Sequence, residues 1–244
     1  LTPTPTPSPP LSPDTSVYGY PEPGHSACGV GVVASLSQQS THGILQQGLQ
    51  ALRCVEHRGA CGADALTGDG AGIMTDIPFE LLGYEPGTIA LATLFVAPEP
   101  ELRRQALRTF EQTFAFMDLK VLAYREVPLR QELLGPQGQE NCPHIVQAVI
   151  QRPSYCSTDS SFDKLLYQAQ QLSQRKTAQL ADGRQPINFT SLSATTVVYK
   201  ALTIATRLEQ LYPDLLDPRY RTRFAIVHRR FSTNTTSSWD KAQP

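Results

Sequence analysis

Apolar and polar positions along the chain fall into blocks with two different periods. From Gly29 to Ser35 a Val-rich run reads as a buried strand. From Thr41 the spacing changes. Ile44, Leu45, Leu49, Leu52 and Val55 recur at helical intervals, and the Thr41 side chain can cap the turn before them, so a helix is predicted through about His57. Strands are predicted at about 71–77, 88–97 and 120–127. Between the last two, Pro98 to Met117 forms an amphipathic helix carrying Leu102, Ala106, Leu107, Phe110 and Phe114. His144–Gln151 alternates like a strand. Phe162 to Leu180 reads as a helix with Leu165, Leu166, Ala169 and Leu172 inward, and Ile187–Leu202 and Arg223–Ser232 are further β candidates. Helices and strands alternate in blocks with several β segments adjacent, which suits a layered α/β or α+β protein better than a strict βαβ repeat.

The pattern is missing before Cys28. Residues 1–27 alternate Pro with Thr and Ser, and 8 of the 20 prolines fall in the first 23 positions. Such a segment has almost nothing to bury and is expected to be an extended, solvated arm. It lacks the apolar core of a secretory signal and the arginines of a transit peptide, the first Lys or Arg being Arg53. The chain opens at Leu1 rather than Met and stops at Pro244 without a closing helix, so both ends read as cut. At 244 residues, 40% hydrophobic and 18% charged, the remainder has the make-up of a folded protein of one large or two small domains. A net charge of −1 excludes a strongly basic nucleic-acid binder. No apolar run is long enough to cross a bilayer, so neither nucleic acid nor membrane is an expected partner.

Five cysteines, Cys28, Cys54, Cys61, Cys142 and Cys156, form no CxxC pair and no zinc spacing, and an odd number suits a reducing compartment. Cys54, Cys142 and Cys156 read as small buried or half-buried side chains. Cys28 differs in place, because it is the first residue after the arm. Cleavage between Ala27 and Cys28 would give it a free α-amine of pKa about 7.7–8.0 beside a thiol of about 8.5. One residue would then hold both nucleophile and base, and Gly29 would leave room for a substrate. On spacing alone, a packing role for Cys28 stays open. Between Gly59 and Gly72, glycines crowd around Asp64 and Asp69 in a tight loop. Asp69 reads as a turn former rather than a metal ligand, and no GKS or GKT follows to make a phosphate loop. His57-Arg58 reads equally as a structural hydrogen-bond cluster or as a substrate contact.

Four segments occur together in a known order and spacing: CGVGVVAS at 28–35, EHRGACGADALTGDGAGIMTDIP at 56–78, SLSATTVVYKAL at 191–202 and VHRRFSTNTTSSWDKAQP at 227–244. By these motifs the chain resembles the N-terminal class II glutamine amidotransferase domain of the glutamate synthases, over essentially everything after residue 27. The resemblance implies an α+β fold, the αββα sandwich of N-terminal-nucleophile hydrolases, with two mainly antiparallel sheets between helical layers. It implies Cys28 as the nucleophile exposed by loss of a short propeptide, Arg230 as the holder of the glutamine α-carboxylate, and Ser232 and Thr233 as lining of the same pocket. A guanidinium fork suits that carboxylate. The implied partners are glutamine and a synthase domain that receives ammonia and aminates 2-oxoglutarate. FMN, a 3Fe-4S cluster, and ferredoxin or a nicotinamide nucleotide belong to the full-length relative, with no cofactor in this chain. The implied location is the cytoplasm, or the plastid stroma if a transit peptide lies upstream.

Departures from the pattern shape the remaining expectations. The family's Asn-Gly oxyanion motif and a later aspartate for the glutamine α-amine would follow Pro244, so the domain reads as incomplete at its C-terminus. Losing one oxyanion donor commonly costs roughly 10²–10³ in rate, so the isolated chain is expected to be a poor glutaminase. Thr195 stands where relatives often carry Arg or Lys, Arg229 replaces a common Gln, and Thr236 and Ser237 replace Phe and Pro, which should weaken the packing around Arg230. Two alternatives remain: a fragmentary, inactive domain, or a different class II amidotransferase.

Overall fold

The computed structural model describes residues 28–62, 64, 66–182, 184–232 and 236–244; the Pro-rich arm 1–27 and Thr233 lie outside the described residues. The strands are β1 (Gly29–Ala34), β2 (Ala71–Asp76), β3 (Ile89–Val96), β4 (Val121–Glu126), β5 (His144–Gln151), β6 (Ile187–Ser193), β7 (Thr196–Ala201) and β8 (Phe224–Arg229). The helices are α1 (His42–Cys54), α2 (Phe79–Leu82), α3 (Pro100–Phe116), α4 (Pro136–Glu140), α5 (Asp159–Ala178) and α6 (Leu208–Leu211). The strands pair antiparallel in two sheets, ordered β1–β8–β2–β7 and β4–β5–β3–β6.

The period of two in β3 decides how the layers stack. Leu91 and Phe95 point into one core with Val149 of β5, Ile73, Tyr199 and Val227 of the first sheet, and Leu45, Leu49 and Leu52 of α1. Their neighbours Ala90, Ala92, Leu94 and Val96 point the other way, onto Phe110 and Phe114 of α3 and Phe162 and Leu166 of α5. All eight residues of β3 are therefore buried, and the strand reads as a continuous apolar run rather than an alternating one. Helix α1 lies against β1 and β8, and α3 and α5 lie against the second sheet. The result is the α+β sandwich of two antiparallel sheets with helices that the family resemblance implies.

A polar cluster joins the two sheets. The Tyr199 hydroxyl of β7 donates to Asp214 (2.7 Å), and Arg125 of β4 makes a two-pronged pair with the same carboxylate (2.6 and 2.8 Å). Gln147 of β5 accepts from Arg125 (2.9 Å) and donates to Tyr199 (3.3 Å). Because these buried groups satisfy one another, they fix the register of one sheet on the other.

Several boundaries differ from the pattern for local reasons. Helix α5 begins at Asp159, because Thr158 and Ser161 form a reciprocal cap, each side chain accepting from the other's backbone N–H. The first helix stops at Cys54 and a separate 3₁₀ turn spans Glu56–Arg58. The 187–202 run is two strands, one in each sheet, with the chain crossing at Ala194-Thr195. The 223–232 run ends as a strand at Arg229. Strand β1 is not buried as the Val-rich run suggests. It lies at the edge of its sheet, with Val30 and Val32 61% and 66% exposed, and only its alternate residues face α1.

Candidate active site

The antiparallel register brings the two ends of the motif set together. Gly29 pairs with Arg229, so Cys28, just before β1, meets the segment that leaves β8. The Phe231 N–H donates to Cys28 Sγ (3.4 Å), and the thiol lies 3.8 Å from the Phe231 carbonyl. Cys28 as a residue is exposed to solvent. Gly29 is buried, and a Cβ there would lie 3.1 Å from that of Arg58 and closer still to Val55. Its lack of a side chain thus serves the contact between β1 and the end of α1, not substrate access.

Arg230 follows β8 directly and is 9% exposed. Its N–H donates to the Gly70 carbonyl (2.9 Å), and Nη2 donates to Ser232 Oγ (3.4 Å). Cys28, Arg230 and Ser232 are therefore gathered at one end of the first sheet. Two basic side chains, His228 and Lys200, sense the Arg230 charge. Burial and the Arg230 charge both hold the imidazole of His228 below its ordinary range. Burial pulls Lys200 down to about 8; Arg230 acts in the same direction and Asp240 opposes it. The Lys200 ammonium donates to the carbonyls of Asp240 (2.9 Å) and Ala242 (2.7 Å).

The glycine-rich loop frames this centre. The Gly62 N–H donates to the Thr67 carbonyl (2.7 Å), and Asp64 closes its own turn by accepting from Leu66 N, Thr67 N and the Thr67 hydroxyl. The Thr67 hydroxyl bond, with those amides, holds the Asp64 carboxyl below its usual range. Gly70 has φ +131°, and a Cβ there would press on Ala242, its Cα only 3.0 Å away, so only glycine fits. Asp69 does not close its own turn. Oδ2 accepts from the Ser232 N–H (2.5 Å) and Oδ1 from the Ser237 hydroxyl.

Sequence reasoning overlooked Glu56, Asp69, Arg229 and Ser237 as parts of this centre. The Arg229 guanidinium is fully buried, pairs with Glu56 Oε1 (3.0 and 3.2 Å), and donates to the carbonyls of Ala60 (2.7 Å), Gly70 (3.2 Å) and Arg230 (3.4 Å). Glu56 Oε2 accepts from Ala205 N (2.6 Å). Neighbouring His57 and Arg58, read equally as a structural hydrogen-bond cluster or a substrate contact, are exposed, and the bonds to Arg229 come from Glu56. Arg229 and Ser237, read as weakening the packing here, instead bond the frame together. These contacts join residues more than 140 positions apart, and no local spacing announces them.

Cys54 and Cys61 are exposed, which corrects the half-buried reading of Cys54. Cys142 is half-buried, with burial pushing its thiol up to about 11, and Cys156 is buried. Among the described residues no three His, Cys, Asp or Glu side chains are grouped to hold a metal. These scattered cysteines do not fit an iron–sulfur cluster. No helix among the described residues is long and apolar enough to cross a membrane.

Two antiparallel four-stranded sheets with helices, and an exposed cysteine just before an edge strand, are consistent with the sandwich of the N-terminal-nucleophile hydrolases. The family model for class II glutamine amidotransferases matches residues 28–244. The chain belongs to that family. It is 39% identical over 228 residues to ferredoxin-dependent glutamate synthase 2 of Synechocystis sp., covering 89% of this chain and 14% of that protein. It is 35% identical over 228 residues to the chloroplastic ferredoxin-dependent glutamate synthase 2 of Arabidopsis thaliana, with the same coverage of 89% and 14%. To the NADH glutamate synthase of Schizosaccharomyces pombe it is 34% identical over 229 residues, 89% of this chain and 11% of that one. The chain thus spans about a seventh or less of the length of these relatives.

Proposed function

We propose that residues 28–244 are a glutaminase domain and that residues 1–27 are a propeptide-like arm whose removal frees the Cys28 α-amine. The observation that carries this reading is the position of Cys28 Sγ on the Phe231 backbone, between Arg230 and Ser232. In the proposed reaction the α-amine takes the thiol proton and the thiolate attacks the side-chain carbonyl carbon of glutamine. The C–N bond of the amide breaks, the proton leaves with ammonia, and a glutamyl thioester remains on Cys28. Water then attacks the thioester and releases glutamate. Arg230 pairs with the substrate α-carboxylate, a role favoured by its shielded setting and its forked guanidinium. The family resemblance implies Ser232 as lining of the same pocket, together with Thr233, which lies outside the described residues.

Sequence similarity to glutamate synthases supports a further step in which the ammonia passes to a synthase domain and aminates 2-oxoglutarate. The flavin and iron–sulfur chemistry of that step, and its ferredoxin or nicotinamide donor, lie outside residues 28–244. The same reading puts the protein in the cytoplasm, or in the plastid stroma if a transit peptide precedes this chain. Glutamine hydrolysis by the protein expressed in full tests the proposal. Cys28→Ala is expected to abolish glutamate release while leaving any synthase activity fed with free ammonia. Unchanged glutamine hydrolysis in Cys28→Ala would rule the reading out.

A further inference from the structure

Two aspartates share the glycine-rich loop and do different work. Among the described residues, Asp64 bonds within its own turn, to Leu66 and Thr67. Asp69 reaches across the fold. One oxygen accepts from the Ser232 N–H at 2.5 Å, the other from the Ser237 hydroxyl, positions 163 and 168 residues away. The carboxylate thus holds the chain on both sides of residues 233–235. A turn-forming role accounts for Asp64 and leaves these two bonds unexplained.

Asp69 is itself held in place. Its N–H donates to the Ala60 carbonyl (3.3 Å), and the next residue, Gly70, accepts from the Arg230 N–H (2.9 Å) and from Arg229 Nη1 (3.2 Å). Just before it, Gly68 lies so close to Thr203 that a Cβ would sit 2.8 Å from the backbone carbonyl carbon. A braced loop therefore presents a charged double acceptor to the segment that carries Arg230 and Ser232. Charge-assisted bonds of this kind are shorter and stronger than neutral ones, so they can set the direction in which a short irregular segment leaves its strand. A loose segment would let the Arg230 guanidinium drift from the carboxylate it must meet, and a displacement of about 1 Å is enough to weaken oriented binding strongly.

We propose that Asp69 is a positioning residue for glutamine recognition, fixing the Arg230–Ser232 segment through the Ser232 amide and the Ser237 hydroxyl without touching the substrate. The proposal rests on the reading of Arg230 as the carboxylate anchor. Its signature is a split between substrate recognition and thiol reactivity. Iodoacetamide is small and carries no carboxylate, so it reports Cys28 reactivity independently of Arg230.

The test uses Asp69→Ala, Asp69→Asn and Ser237→Ala in the protein expressed in full, with near-UV circular dichroism to verify folding. Asp69→Ala is expected to raise KM for glutamine about 10- to 100-fold with a smaller change in kcat, the scale of losing charge-assisted bonds that orient a binding group. Cys28 alkylation should stay within about twofold of wild type. Asp69→Asn, which keeps one acceptor, and Ser237→Ala, which removes one donor, should each raise KM about 3- to 10-fold. Unchanged KM in Asp69→Ala overturns the proposal, as does a rise in KM matched by an equal loss of alkylation rate. If Asp69→Ala does not fold, the two milder variants decide, and wild-type KM in both overturns it. Failure of the underlying reading looks different: Arg230→Gln would then leave KM unchanged in an otherwise wild-type protein.

Discussion

Removing the Glu56 side chain would leave the buried Arg229 guanidinium with only backbone carbonyls as acceptors and strip Ala205 N of its partner. Breaking a fully buried ion pair from one side costs roughly 3–5 kcal/mol. The Glu56 side chain is 29% exposed, so solvent screening brings that term down to about 2 kcal/mol. The orphaned Ala205 amide adds about 1 kcal/mol. Glu56→Ala should therefore destabilise the domain by about 3 kcal/mol, a fall of roughly 6–12 °C in melting temperature for a domain of this size. Trp239, the single tryptophan of the sequence, is buried against Phe95 in the core and reports the transition by fluorescence. Arg229→Met removes the charge as well as its bonds, so Glu56→Ala added to it should cost clearly less than Glu56→Ala alone, with a coupling of about 1–2 kcal/mol. A loss below about 1 kcal/mol for Glu56→Ala, or strict additivity in the cycle, refutes the reasoning.

Two further outcomes are expected. Arg230→Lys keeps the charge but loses the planar fork, and should raise KM for glutamine about tenfold with kcat less affected, measured from initial rates of glutamate release; an unchanged KM counts against the carboxylate role. Burial draws Lys200 from 10.5 to about 8, so between those values the unfolded chain binds more protons than the folded one. The resulting cost is fully present below pH 8, corresponds to about 3 kcal/mol, and fades as pH rises toward 10.5. Denaturation midpoints of wild type relative to Lys200→Met should therefore improve across that window, and a flat difference would show that Lys200 is not perturbed.

Much of the fold was legible because burial writes itself into local period. The α1 stripe, the two helices that cover the second sheet, and the β segments all appear as spacing. What burial does not write locally was misread. Val30 and Val32 are valines of an edge strand with one face in solvent, and a Val-rich run looks the same whether covered once or twice. The site was half legible. Cys28 and Arg230 stand in motifs, and a register of Gly29 on Arg229 joins them. The frame that orients them was hidden, because Asp69 and Glu56 find their partners across the chain rather than along a turn. Between glycines, the sequence of Asp69 is that of any loop aspartate; only its two distant donors distinguish it from Asp64.

The central claim is that Cys28 is an amino-terminal nucleophile facing a glutamine pocket. Its most direct test is peptide mass spectrometry of the purified protein after treatment with a diazo-ketone analogue of glutamine. The prediction is a peptide that begins at Cys28, with a free α-amine, and carries the analogue on Sγ, with glutamine protecting against labelling. An adduct on Cys54, Cys61, Cys142 or Cys156 instead, or full labelling of Cys28 while residues 1–27 remain attached, would contradict it.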